Sequence, residues 1–142
     1  MLRTVERMLK TNPEVMYAPL EVVSECIHAC LECAEICTSC ADACMGEHAM
    51  QQLDHCIRLD LDTADVCSAT ARMITRQRAP DLGLIAMTLE LCMAACQATA
   101  LECGRHAPVY AHCQVCSAAC HRCVEACRAM LAATAEASRM HH

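Results

Sequence analysis

CIHACLECAEICTSCADAC, residues 26–44, places cysteines at steps of +4, +3, +4, +3 and +4: Cys26, Cys30, Cys33, Cys37, Cys40 and Cys44. At about 100° per residue, an α-helix brings Cys44 back to the angular position of Cys26 after about five turns. The thiols then form one ladder, roughly 27 Å long, on a single helix face. The other side chains sort around it. Glu25, His28, Glu32, Glu35, Ser39 and Asp42 form a polar outer stripe. Val22, Ala29, Ile36 and Ala43 flank the ladder on one side, and Ile27, Leu31, Ala34 and Ala41 on the other. This is the inner-stripe pattern of a helix bundle, with sulfur at the axis-facing positions.

The pattern recurs. CQVCSAACHRCVEAC, residues 113–127, carries Cys113, Cys116, Cys120, Cys123 and Cys127 at +3, +4, +3 and +4. Cys92, Cys96 and Cys103 share a face, as do Cys56 and Cys67, eleven residues or about three turns apart. All 16 cysteines of the 142-residue chain fall on four helical stripes. The remaining composition agrees. The chain has no Phe or Trp, two Tyr, three Gly and four Pro, which speaks against a sheet. Ala, Leu, Met, Glu, Arg and Gln, all helix formers, are abundant.

Proline and glycine divide the chain into an all-α, antiparallel up-down-up-down four-helix bundle in one domain, 1–142. The bundle helices are expected at 17–45, 50–78, 80–106 and 108–138. Pro19, Pro80 and Pro108 suit helix starts, and Gly46 a helix end. The few-residue connections make neighbouring helices antiparallel. Residues 1–16 add a short N-terminal helix or cap, with Leu2, Val5, Met8 and Leu9 as its apolar side. The second inner line reads Leu53, Cys56, Asp60, Thr63, Cys67, Thr70, Ile74. The third reads Ile85, Leu89, Cys92, Cys96, Thr99, Cys103, His106, and the fourth starts at Val109. Asp60 is the odd residue among these: either a weak ligand, a hydrogen-bond acceptor, or a side chain rotated outward.

A net charge of −6 excludes the basic stripe that nucleic acid requires. Arg72, Arg76 and Arg78 read as partners of a helix C-terminus. MLRTVERMLKTNPEVM has no apolar signal region and no twin arginine, and no run approaches membrane-spanning length. The expectation is a cytoplasmic protein with no membrane or nucleic-acid partner. Thiols stay reduced in that compartment, which points to metal rather than to disulfides.

Thiol number decides against simple packing, because Leu or Ala would fill the same positions without oxidising. Zinc and iron–sulfur clusters gather four ligands at one spot, usually on turns. Cu(I) is soft, selects thiolate and accepts low coordination numbers. Thiolates at i, i+3 and i, i+4 on one helix suit a two-sulfur site. One Cu(I) per cysteine, on the order of 16 ions, also leaves the core neutral. The even spacing favours many two-sulfur sites over a few four-sulfur ones. No cysteine is singled out as an activated nucleophile, so no enzyme activity is expected. A thiol redox enzyme and an iron–sulfur electron-transfer protein are the alternatives.

With these ladders and the stretch CIRLDLDTADVCSATAR from Cys56, the chain resembles the bacterial copper storage proteins, and in particular their cytosolic subgroup. The resemblance implies a cysteine-lined four-helix bundle that takes up many Cu(I) ions for copper homeostasis, and a homotetramer. A copper chaperone or a small-thiol copper donor would then be a partner. The antiparallel topology also gathers Met45, His48, Met50, His55, His106 and His112 at one end, where copper is expected to enter. His48 and His106 fit the inner phase best, with His55 and His112 one step off. His28 and His121 fall on outer stripes, with Glu125 the expected partner of His121. His141 and His142 are terminal.

Overall fold

The computed structural model describes residues 2–140, with side chains from Thr4 onward, so the apolar role expected of Leu2 and the terminal His141 and His142 lie outside the described residues. The described elements are all helical: α1 (Leu2–Lys10), α2 (Leu20–Met45), a 3₁₀ turn (Met50–Leu53), α3 (Asp54–Thr75), α4 (Leu82–His106) and α5 (Ala111–Met140). The long helices form a ring in which α2 packs on α3, α3 on α4, α4 on α5 and α5 on α2. Neighbours run antiparallel. As the α2 cysteines rise through Cys30, Cys37 and Cys44, their α5 partners fall through Cys127, Cys120 and Cys113.

The helix ends show what each proline does. Pro19 is the N-cap of α2 and lies outside its first turn. Pro80 precedes Asp81, whose carboxylate caps α4 by accepting the Leu84 N–H at 3.0 Å. α5 opens at Ala111, three residues past Pro108, so Val109 is 75 % exposed rather than the first rung of an inner line. Gly46 closes α2 as expected, donating its N–H to the Ala43 carbonyl at 3.1 Å. α3 ends at Thr75, short of 78, because Arg76 is already extended.

The core has two zones. At the end holding the α3–α4 turn it is hydrocarbon: Val23, Ile74, Ile85, Leu89 and Met130 are buried. Burying each is worth about 1.5–3 kcal/mol relative to exposure. α1 packs on α2 here and buries Leu9, whereas Met8, expected on the same side, is 71 % exposed. The connecting segment follows the same end, with Glu14 lying 3.8 Å from Arg78. The Tyr17 hydroxyl is buried without a partner, and burial together with nearby Cys26 pushes its pKa up to about 12. Beyond this plug the axis is sulfur.

α4 amends one expectation. Its most apolar 18 residues have a mean hydropathy of 1.6, so by length and composition it matches a membrane span. Its inner line is a wall of the bundle, with Ile85, Leu89, Cys92, Cys96, Thr99 and Cys103 all buried, while Leu84, Met87, Leu91 and Leu101 face outward.

Candidate metal centre

Each of the 16 cysteines is a free thiol in the core, at most 2 % exposed. The bundle brings their sulfurs together across helices more than along them. Within α2, Cys33–Cys37 and Cys40–Cys44 are 3.8 and 4.0 Å apart. Between helices, Cys56–Cys103 is 3.2 Å, Cys67–Cys96 3.7 Å, Cys127–Cys92 3.7 Å and Cys37–Cys120 3.7 Å. A disulfide has its sulfurs about 2.05 Å apart, so these are contacts between free thiols.

Five groups have ligand atoms all within 4.8 Å of one another. They are Cys30/Cys92/Cys123/Cys127, Cys33/Cys67/Cys96/Cys123, Cys40/Cys44/Cys56/Cys113, Cys40/Asp60/Cys103/Cys116 and Cys33/Cys37/Cys120. The expected preference for two-sulfur sites along one helix therefore needs correction. In three of the groups side chains at i and i+4 supply one edge and other helices the rest; Cys33/Cys67/Cys96/Cys123 and Cys40/Asp60/Cys103/Cys116 draw one residue from each of the four long helices. The groups also overlap: Cys123, Cys33 and Cys40 each belong to two. Closed four-ligand sites cannot occupy all of them independently, whereas metal ions bridged by shared thiolates can.

Asp60 points inward and is fully buried, which removes the outward reading. Its Oδ1 accepts from Cys116 Sγ at 3.2 Å and Cys103 Sγ at 3.6 Å, and its Oδ2 from Cys56 Sγ at 3.9 Å. Burial, reinforced by Cys116, pushes its pKa up to about 9. The carboxyl is thus protonated and neutral at pH 7 in the metal-free protein. Its phase between Cys56 and Thr63 was the signal for this position, against the outward rotation that a carboxyl on a thiol line suggested.

The six His and Met residues expected at one end separate into unequal parts. His112 lies on the thiols, with Nδ1 3.6 Å from Cys40, 3.8 Å from Cys44 and 3.6 Å from Cys113. Its ring stacks on Tyr110 at 5.6 Å between centroids, and Glu47 lies 3.9 Å from Nε2. Nε2 is buried with no hydrogen-bond partner. His106, expected to fit better, instead turns to Glu102, with Nε2 3.0 Å from the carboxylate. His48 and His55 are exposed, and Met45 and Met50 are 48 % and 40 % exposed. The order inferred from phase is reversed for His106 and His112, while His55, also one step off, is exposed like His48. His112 lies in the first turn of α5, where a side chain one step round the helix still reaches the last thiols of α2. Burial first, and then neighbouring sulfurs that include Cys56, push the thiols at this end upward: Cys44, and Cys113 to about 11.

Buried Glu102, which also pairs with Arg105 at 3.2 Å, was not legible as a partner for His106. The i, i+4 spacing of Glu102 and His106 was the available signal. Glu125 pairs with Arg128 rather than with His121. A surface cleft of about 730 Å³ lies between α2 and α5 and is lined by residues such as Glu25, His28 and His121, away from the sulfur axis.

The sequence matches the family model described as copper storage protein over residues 20–132. A curated relative, the uncharacterized cysteine-rich protein YhjQ of Bacillus subtilis (strain 168), is 37 % identical over 86 residues, which is 61 % of this chain and 74 % of the relative. Among solved structures, the copper storage protein Ccsp of Streptomyces lividans, loaded with 10 copper equivalents, superposes with a TM-score of 0.88. It is 42 % identical, covering 90 % of this chain and 98 % of that one. A five-copper form, described as a cytosolic copper storage protein from Streptomyces lividans, gives a TM-score of 0.78 at 45 % identity over 79 % of this chain and 93 % of that one.

Proposed function

The chain belongs to the copper storage protein family, and from that premise we propose that it stores Cu(I) in the cytosol on the thiolates lining its core. The observation that carries this reading is the continuous buried sulfur network with overlapping ligand groups. Cu(I) and thiolate are a soft pair, and low coordination numbers let one thiolate bridge two ions. Each Cu(I) replaces one thiol proton, so the low-dielectric core stays neutral as it fills. The ligands in this reading are the 16 cysteines, with Asp60 and His112 as weaker oxygen and nitrogen donors at one end. That end is also the entry, because imidazole holds Cu(I) less tightly than thiolate and passes it inward. No catalytic role is assigned to any residue. A homotetramer belongs to the same reading, and the outward Leu84, Met87, Leu91 and Leu101 of α4 offer an apolar surface for it. A chaperone or small-thiol complex would deliver the copper.

Titration of the reduced, metal-free protein with Cu(I) against a strong chelator tests storage. Uptake is expected to continue to about one ion per thiol, near the 16 cysteines present, and to weaken in acid as thiolates are protonated. Saturation at about two to four ions, as closed four-thiolate sites require, overturns the storage reading. Iron in the protein as isolated would favour the iron–sulfur alternative.

Entry has its own test. His112→Ala is expected to slow Cu(I) uptake several-fold in stopped-flow absorbance, with capacity almost unchanged. His48→Ala with His55→Ala is expected to change the rate little, because both side chains are exposed. A His112→Ala protein loading at the original rate places the entry elsewhere.

A further inference from the structure

We infer that the sulfur core is two compartments joined through Cys116, with the Thr63–Thr99 hydroxyl pair closing the opposite wall between them. This rests on the storage reading above. One compartment lies at the His112 end and comprises Cys40, Cys44, Cys56, Cys103, Cys113 and Cys116. The other holds the remaining ten thiols, from Cys37 down to Cys26.

The division originates on α3 and α4. On α2 and α5 the thiols continue without a gap. On α4 seven residues separate Cys96 from Cys103, and on α3 eleven separate Cys56 from Cys67. These are rises of about 10 and 16 Å. Thr63 and Thr99 occupy the interval. Both are buried, and their hydroxyl oxygens are 2.7 Å apart. Thr63 donates to the Ala95 carbonyl at 3.1 Å while accepting from Thr99, or Thr99 donates to the Leu59 carbonyl at 3.3 Å while accepting from Thr63. Either arrangement satisfies both hydroxyls within the α3–α4 wall. Hydroxyl oxygen is also a hard donor, poorly matched to Cu(I). This wall therefore offers no stepping stone.

The α2–α5 wall offers one. Among the described residues, the sulfur–sulfur hydrogen bond that joins the two sets is Cys116 to Cys37, at 3.8 Å, and Cys116 also interacts with Cys120 one turn further along α5. Cys37 then meets Cys120 at 3.7 Å and Cys33 at 3.8 Å, and Cys33 leads to Cys96 at 3.9 Å. On the outer side, Cys116 shares a ligand group with Cys40, Asp60 and Cys103. Transfer along this route needs no redox step. A Cu(I) ion passes from one thiolate to the neighbouring thiol, and that thiol's proton returns to the sulfur just vacated. Cys116 is the sulfur through which ions for the deep set pass.

The test is stopped-flow loading of the full-length protein with Cu(I), with copper placed by anomalous scattering in partly loaded crystals. The original protein is expected to load in two phases, the outer six thiols before the inner ten. Cys116→Ala is expected to slow the second phase about tenfold or more, about 1.4 kcal/mol in barrier. The double variant T63C/T99C adds two thiols at the waist, and is expected to speed the second phase and raise capacity. Full loading of the original protein in one phase, a Cys116→Ala second phase at the original rate, or an unchanged T63C/T99C second phase overturns the two-compartment inference alone. Saturation of the original protein at a few ions overturns the storage reading and this inference with it.

Discussion

Filling the core with Cu(I) is expected to raise the thermal unfolding transition by tens of degrees. The metal-free bundle holds its axis with thiol–thiol contacts of 3.2–4.0 Å, which are weak hydrogen bonds at best. An ion that binds only the folded state adds about 4 kcal/mol when present at a thousand times its dissociation constant. About 1 kcal/mol moves the transition by roughly 4 °C in a chain of this size. A few saturated sites therefore outweigh the whole stability of an ordinary domain, about 5–15 kcal/mol. The ligand groups also link helices distant in sequence: Cys30/Cys92/Cys123/Cys127 joins α2, α4 and α5. Calorimetry of the reduced metal-free and loaded proteins checks this. A shift of only a few degrees would mean that copper sits outside the core. Acid should reverse the gain, because protons and Cu(I) compete for the same sulfurs.

Asp60→Asn is expected to remove a large pH dependence from the metal-free protein. Burial raises the Asp60 pKa to about 9 from 3.8. A carboxyl raised in the folded state holds its proton more tightly there than when unfolded. Below about pH 4 both states carry the proton, and stability is unaffected. Between about pH 4 and 9 only the folded state keeps it, so stability falls as pH rises, by up to about 1.4 kcal/mol per unit. From pH 5 to pH 8 the loss approaches about 4 kcal/mol as an upper bound. Asparagine fills the same space without an ionisation to suppress, so the variant should show a flatter profile and greater stability at pH 8. Urea unfolding under reducing conditions at both pH values checks the sign. Equal slopes in the two proteins would mean that the Asp60 carboxylate is solvated in solution.

The residues hardest to read were those whose role depends on a neighbouring helix. Asp60 shared the phase of Cys56 and Thr63, yet a carboxyl on a thiol stripe suggested outward rotation. Three thiols from α3, α4 and α5 make its buried position tenable. His112 was one step off the ladder, and its place in the first turn of α5 beside the end of α2 lets it reach Cys40 and Cys44. The helix starts erred by a few residues for a local reason. Proline marks where a helix becomes allowed, whereas the satisfied amide, as at Asp81, marks where it begins.

Periodicity is a property of one helix at a time, and it was sufficient for the helices, their order and the facing of the cysteine stripes. Sulfur chemistry then pointed to a soft monovalent ion without reference to any contact. Which sulfurs meet is a different quantity. It depends on the relative height and rotation of four antiparallel helices, set by side-chain packing across the ring rather than by spacing along a strip. The overlapping four-ligand groups, the placement of His112 over His106 and the Thr63–Thr99 gap all arise at that level. The ladder from Cys26 to Cys44 is uniform as sequence, but in the bundle Cys37 and Cys40 fall on opposite sides of a boundary drawn by the helices facing them.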